Sequence, residues 1–326
     1  MPTGQARTQR IKHTGAATVN QAIETGNQVS VPLSGGMGMA EFVRRTAANT
    51  AKDDVFSFAG NIAFRALFAL FPALIALLWL LNVLHADGLI NTLISLIETA
   101  LPETASGPIK QQLSSVPEEQ ASGAFTIGAV LSVIAAVWAL SSMMRAMMTG
   151  LNQIYGVDES RPFWKSTATT IVLALAVSAL LVSALFLIVF GSAIAEEIAE
   201  AAGLGVAFRW AWEVVTWPVL FLLIFSACAL IYYVAPDVKQ RVRWISPGTL
   251  GATLLWLLFT LIYSIYVNNF ASYDSLYGQL AGIVVLMAYF YTASFILLLG
   301  GEMNQVIETS HPTGKDPGDR APTDQD

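Results

Sequence analysis

Arg65 and Arg145 are the residues of this chain with the most chemistry to offer, because each interrupts an apolar run long enough to cross a bilayer. An ionised side chain in hydrocarbon is costly, so it is expected to bind an anion, find a partner or reach for the interface. Asn61 stands one helical turn before Arg65, on the same face. Trp138, Ser142, Arg145, Thr149 and Asn152 recur at steps of three or four residues and line up as a polar stripe. Late in the chain, Tyr291, Ser294, Leu298 and Glu302 share another helix face. With alternating spans, Arg65, Arg145 and Glu302 fall in the cytoplasmic half of the membrane. Three charged groups at one depth predict a hydrated cavity of net positive character, suited to an anionic headgroup. Arg65, Asn61, Arg145, Ser142, Glu302 and Tyr291 are its candidate substrate contacts. A structural reading stands beside this one: the arginines snorkel to the interface, or Glu302 pairs with one of them. Glu213, four residues after Arg209 at the outer boundary, reads as a salt-bridge partner.

The elements that must hold these side chains are dictated by composition. The chain has 326 residues, of which 55% are hydrophobic and 12% charged, with a mean hydropathy of +0.58. Soluble domains carry about 25% charged residues, so this is an all-α membrane protein by composition. The net charge of −6 and the pI near 5.1 argue against a nucleic-acid partner, which favours a basic face. Cys228 is the single cysteine, so no intramolecular disulfide can form. The first 50 residues contain no apolar core of the kind a cleavable signal peptide needs.

In chain order, residues 1–52 read as a cytoplasmic tail, unstructured except for a short amphipathic helix over Met37–Lys52 that brings Arg44, Arg45 and Lys52 to the headgroups. Six spans follow, at about 57–85, 125–149, 167–194, 210–234, 246–267 and 280–304. Pro72 is a candidate kink in the first. Residues 87–123 form the largest polar insertion, with apolar residues at helical spacing that predict amphipathic helices on the outer surface. Residues 195–208, with Glu196, Glu197 and Glu200, are expected to be the second outer loop. Ser246 followed by Pro247 is a helix-start signal for the fifth span. Residues 306–326 form a second cytoplasmic tail.

The connection between the last two spans, Asn268 to Gly282, must turn the chain at a membrane surface, and it is not passive filler. Asn268, Tyr273, Asp274, Tyr277 and Gly278 are candidates for closing a cavity from the outer side; the simpler reading is a packed hairpin with interfacial tyrosines and a close GxxxG contact. Residues here and around it also carry a resemblance. YxxxP at Tyr232–Pro236, PG at Pro247–Gly248, YxxxFxxYxxxYG at Tyr266–Gly278 and LLGGEMN at Leu298–Asn304 resemble the YihY/BrkB family of six-span bacterial inner-membrane proteins. The segment SFAGNIAFRALFALFP also resembles that family's first span. The resemblance implies an inner-membrane location and an association with envelope lipids and virulence-related surface properties. The family was once labelled a ribonuclease.

Charge asymmetry orients the spans. Thirteen of the 17 Lys and Arg residues fall in segments assigned inside and two, Lys110 and Arg209, in segments assigned outside, so both termini are expected in the cytoplasm. Catalytic signatures are missing: there is no HExxH, P-loop, CxxC or GxSxG. His13, His85 and His311 lie in unrelated segments and do not make a metal cluster, so neither metal, cofactor nor nuclease chemistry is expected. Two functions from different classes follow. One is transport or flipping of a lipid or other anionic amphiphile, with membrane lipids as partners. The other is a non-transporting envelope scaffold that binds a protein partner through residues 87–123. A homo-oligomer is compatible with either.

Overall fold

The computed structural model describes residues 37–83, 123–203, 205–238, 246–270 and 281–310. They fold into α1 (Met39–Lys52), α2 (Val55–Val83), α3 (Gly123–Ile154), α4 (Phe163–Ala202), α5 (Gly205–Val234), α6 (Pro247–Phe270) and α7 (Ala281–Ser310). There is no strand among the described residues. Helices α2 to α7 each contain a stretch long and apolar enough to cross a membrane. The fold is therefore all-α with six candidate spans, as composition predicts. The tails beyond α1 and α7 and the insertion at 87–123 lie outside the described residues, except for Gly123, where α3 begins.

The helices close into a ring of neighbours: α2 packs on α3, α3 on α4, α4 on α5, α5 on α6, α6 on α7, and α7 on α2. Helix α7 also touches α3 and receives α1, which makes it the hub. The core lies toward the ends of the helices nearest α1, where Val55, Ile62, Met147, Leu151, Leu173, Tyr232 and Leu298 are buried together. Lipid tails are as apolar as these side chains, so close packing, rather than escape from water, holds such a bundle together.

Small residues bring the backbones close where the PG and GGE stretches meet. A methyl group on Gly300 would lie 2.6 Å from the Ala252 Cβ and 2.9 Å from the Gly248 carbonyl oxygen, and would collide with the Tyr232 hydroxyl. The Gly248 amide donates to Asn304 Oδ1 at 2.8 Å, and the Tyr232 hydroxyl donates to the Leu297 carbonyl at 2.6 Å. Helices α5, α6 and α7 are thus pinned at one level by a glycine contact and two hydrogen bonds.

Two local expectations hold. Ser246 caps α6, its hydroxyl accepting from the Thr249 amide at 3.1 Å, with Pro247 as the first helical residue. The amphipathic helix before the first span forms as α1, but its inner face, Phe42, Thr46 and Thr50, is buried, and the helix packs on α7. One expectation is corrected. Residues 195–202 are not loop: α4 runs on through Ala202 and ends at Gly203, whose left-handed backbone (φ 66°) lets its amide bond back to Ala199 and Glu200. At 40 residues α4 is about 60 Å long, twice the ~30 Å hydrocarbon core. The sequence AEEIAEAA is made of strong helix formers. Ala195 and Ala199 are buried and Glu196, Glu197 and Glu200 exposed, so the far end of α4 projects as a helical hairpin with α5. Helix α2 likewise continues through Pro72.

Candidate functional site

Arg65 lies where α2 packs on α3, and Arg145 lies where α3 packs on α4. On α2, Val55, Ala59, Ile62 and Ala66 are buried, whereas Phe64 and Phe68 are 55% and 60% exposed. Arg65 lies at the border of those two faces and is half-buried. Its Nε donates to Asn61 Oδ1 at 2.9 Å, and its Nη1 donates to the Ser142 hydroxyl and, at 3.5 Å, to the Ser142 carbonyl. The one-turn spacing of Asn61 and Arg65 on α2 makes the first contact; the α2–α3 packing makes the other two.

On α3 the core positions Met144, Met147 and Leu151 point inward; of the polar stripe, Trp138 is 77% exposed and Thr149 exposed, Ser142 and Arg145 are half-buried, and Asn152 is buried. Arg145 reaches from this stripe toward the start of α4. Its Nη2 donates to Thr167 Oγ1 at 2.9 Å and its guanidinium lies 5.7 Å from the centre of the Phe163 ring. Phe163 and Trp164 are exposed at the beginning of α4, and the Lys165 ammonium lies over the Trp164 ring at 5.3 Å. The arginine therefore reaches the first turn of α4. Neither arginine forms an ion pair among the described residues; both are held by neutral oxygens and a ring face, which leaves their positive charge uncompensated.

The expected single cavity is corrected at its third member. Glu302 pairs with neither arginine among the described residues. It is on α7, fully buried at 0% exposure, and no donor reaches either carboxyl oxygen. The carboxyl group it meets is Asp53, in the turn between α1 and α2. Sequence periodicity groups Glu302 with Ser294 and Leu298 but cannot say which way α7 is rotated in the ring. Tyr291 is also elsewhere, half-exposed over Gly60 on the α2–α7 side; a methyl on Gly60 would come 3.9 Å from its ring. Of the hairpin candidates, Asn268 lies in the last turn of α6, while Tyr273, Asp274, Tyr277 and Gly278 lie outside the described residues.

A polar network at the α3–α4 turn was not legible in the sequence. Arg161 donates to Glu159 at 2.6 Å from Nε and 2.9 Å from Nη2, and to the carbonyls of Val234 and Ala235 at 3.2 and 2.7 Å. These carbonyls belong to the end of α5, where a cation complements the helix dipole. Asp237 accepts from the Ser160 amide and hydroxyl at 2.8 and 2.5 Å, and its own amide donates to Asn152 Oδ1 at 2.8 Å. Burial raises the Glu159 pKa, but Arg161 outweighs it and holds the group below its ordinary value. The network ties the α3–α4 turn to the end of α5. The only sequence signal was the charge alternation in VDESR.

Comparison with known proteins bears on what this arrangement belongs to. The chain is 32% identical over 250 residues to the ribonuclease-like protein YfkH of Bacillus subtilis, covering 76% of this chain and 88% of that one. It is 25% identical over 259 residues to a UPF0761 membrane protein of Xanthomonas oryzae, and 25% identical over 271 residues to one of Aromatoleum aromaticum. Those alignments cover 77% and 81% of this chain but only 57% and 63% of the relatives. No solved structure matches the chain significantly. The profile described as virulence factor BrkB matches residues 46–324, from α1 through all six candidate spans, and the chain belongs to that family of membrane proteins.

Proposed function

We propose that this protein moves a lipid or another anionic amphiphile between the leaflets of a bacterial inner membrane, with both termini in the cytoplasm. The observation that carries the reading is that two arginines inside candidate spans, Arg65 and Arg145, are both held only by neutral partners. Among the described residues their partners are Asn61, Ser142, Thr167 and the Phe163 ring, none of which neutralises them. Two uncompensated cations in low dielectric attract an anion, and a planar guanidinium matches phosphate oxygens in pairs. Arg65 is ten residues into α2 and Arg145 nine residues from the end of α3, so each is roughly 15 Å along its helix, deep enough to draw a headgroup inward. The exposed rings of Phe64, Phe68 and Trp138, on the same two helices, offer acyl chains a surface.

The test is reconstitution of wild type, Arg145→Lys and Arg65→Lys at matched amounts, following a labelled anionic lipid between leaflets. Lysine keeps the charge and removes the fork, so slower movement at equal insertion supports headgroup binding. If wild type moves no more lipid than empty vesicles, the transport reading is wrong; if lysine serves as well, the arginines only snorkel.

A second reading, an envelope scaffold, draws on the α4–α5 hairpin, whose exposed Glu197, Ile198 and Glu200 offer a docking surface beyond the apolar span. A lipid-inactive protein that still co-purifies with an envelope partner through this hairpin or residues 87–123 would favour it. A nuclease reading is suggested by the YfkH name alone. Among the described residues no three His, Cys, Asp or Glu side chains come together to hold a metal ion.

A further inference from the structure

Glu302 presents a problem in physical chemistry that the two arginines do not use. It is 0% exposed, and neither of its carboxyl oxygens has a hydrogen-bond donor. A buried carboxylate without donors is among the most costly groups a protein can hold. Its neighbour is a second carboxyl, Asp53, within hydrogen-bonding reach. Two adjacent carboxylates cannot both stay ionised cheaply, and neither can donate to the other. One proton removes both difficulties at once: the protonated group donates, the ionised one accepts, and a single negative charge is left.

The surroundings offer little alternative compensation. From α1, Lys52 is the cation that acts on the pair, at a distance rather than by a hydrogen bond. In the α1–α2 turn, Asp54 is acidic itself and accepts from the Ser57 hydroxyl at 2.9 Å. From α3, the Leu151 side chain abuts Gly301 next to Glu302. From α5, Tyr232 donates its hydroxyl to Leu297. From α6, the Gly248 amide is taken by Asn304. Burial raises the Asp53 pKa, with Lys52 pulling it back, which agrees with a pair that shares a proton.

We infer that Asp53 and Glu302 form a proton-binding site between α7 and the α1–α2 turn. The proton comes from water on the side where α1 lies and returns to it; no covalent bond other than O–H is made or broken. Occupancy fastens the α1–α2 turn to the hub helix, beside the Asn49–Gln305 side-chain hydrogen bond at 3.3 Å. Loss of the proton sets two negative charges against each other at that joint. The site does not depend on the lipid reading, because its readout is carboxyl protonation rather than lipid movement.

The experiment is infrared difference spectroscopy of the full-length chain in lipid nanodiscs, titrated with pH, and repeated in sodium, potassium and magnesium chloride. Wild type is expected to show one carboxylic C=O stretch near neutral pH that disappears on alkaline titration. Glu302→Gln should lack that band while remaining monodisperse. Asp53→Asn, which keeps Glu302, should move the midpoint of the band by about one pH unit, a tenfold change in proton affinity. Should Glu302→Gln fail to fold, the Asp53→Asn midpoint decides the matter alone. The proposal is overturned if wild type shows no such band at neutral pH, if the band survives Glu302→Gln, or if Asp53→Asn leaves its midpoint unmoved. It is also overturned if a metal cation displaces the band, which would make the pair a cation site.

Discussion

Gly300→Ala should loosen the bundle more than any other single methyl added to a described glycine in a span, Gly248 apart. The new Cβ would lie 2.6 Å from the Ala252 Cβ and 2.9 Å from the Gly248 carbonyl oxygen. Carbon atoms rest at about 3.5–4.0 Å, so α6 and α7 must part by roughly 1 Å. Overpacking of this kind costs about 1–3 kcal/mol. The methyl also drives into the Tyr232 hydroxyl, whose hydrogen bond to the Leu297 carbonyl is made in a buried setting; losing that bond adds about 1 kcal/mol. The expected total is about 2–4 kcal/mol. Reversible unfolding in mixed micelles would measure it, with Gly60→Ala as control, because a methyl there meets only the Tyr291 ring at an ordinary 3.9 Å. Equal stability of Gly300→Ala and Gly60→Ala would refute the claim that the α5–α6–α7 contact is a close backbone approach.

Arg161→Ala should cost about 1–3 kcal/mol, because it strips Glu159 and the carbonyls at the end of α5 of their donor; an unchanged unfolding midpoint would count against the network. The Glu159 pKa is depressed in the fold, so its contribution is complete above the unfolded carboxylate range and is lost as pH falls through the folded value. Melting of wild type and Glu159→Gln should therefore converge only as pH falls below 4.5 toward the lower folded value, and parallel curves through that range would contradict the ion pair. A cysteine introduced at Lys110 should be labelled by an impermeant reagent from outside the inner membrane, and one at Arg161 only after permeabilisation; the reverse pattern would invert the expected orientation. Gly203→Ala should cost about 1 kcal/mol through its left-handed backbone alone, since a methyl there meets nothing within 4 Å.

Six spans, their approximate limits and the amphipathic helix before them follow from the sequence, because hydrocarbon demands long apolar helices and such runs announce themselves. The Ser246–Pro247 start of α6 was readable for a similar reason: a cap is a local device, settled by residues a few positions apart. The one-turn pairing of Asn61 with Arg65 was equally local. Helix rotation was not. Periodicity says that Ser294, Leu298 and Glu302 share a face, but only the ring of neighbours decides that this face meets α1, α3 and the Asp53 turn instead of the arginines. The same holds for Arg161, whose partners at Val234, Ala235 and Asp237 are more than 70 residues away in the chain. The end of α4 shows the converse: a polar, acidic stretch after an apolar span reads as loop, though its alanines and glutamates favour helix and two of its alanines find cover. Hydropathy identifies what must lie in lipid. Where a helix stops, and which of its sides meets which neighbour, is fixed by packing between segments that are distant in sequence.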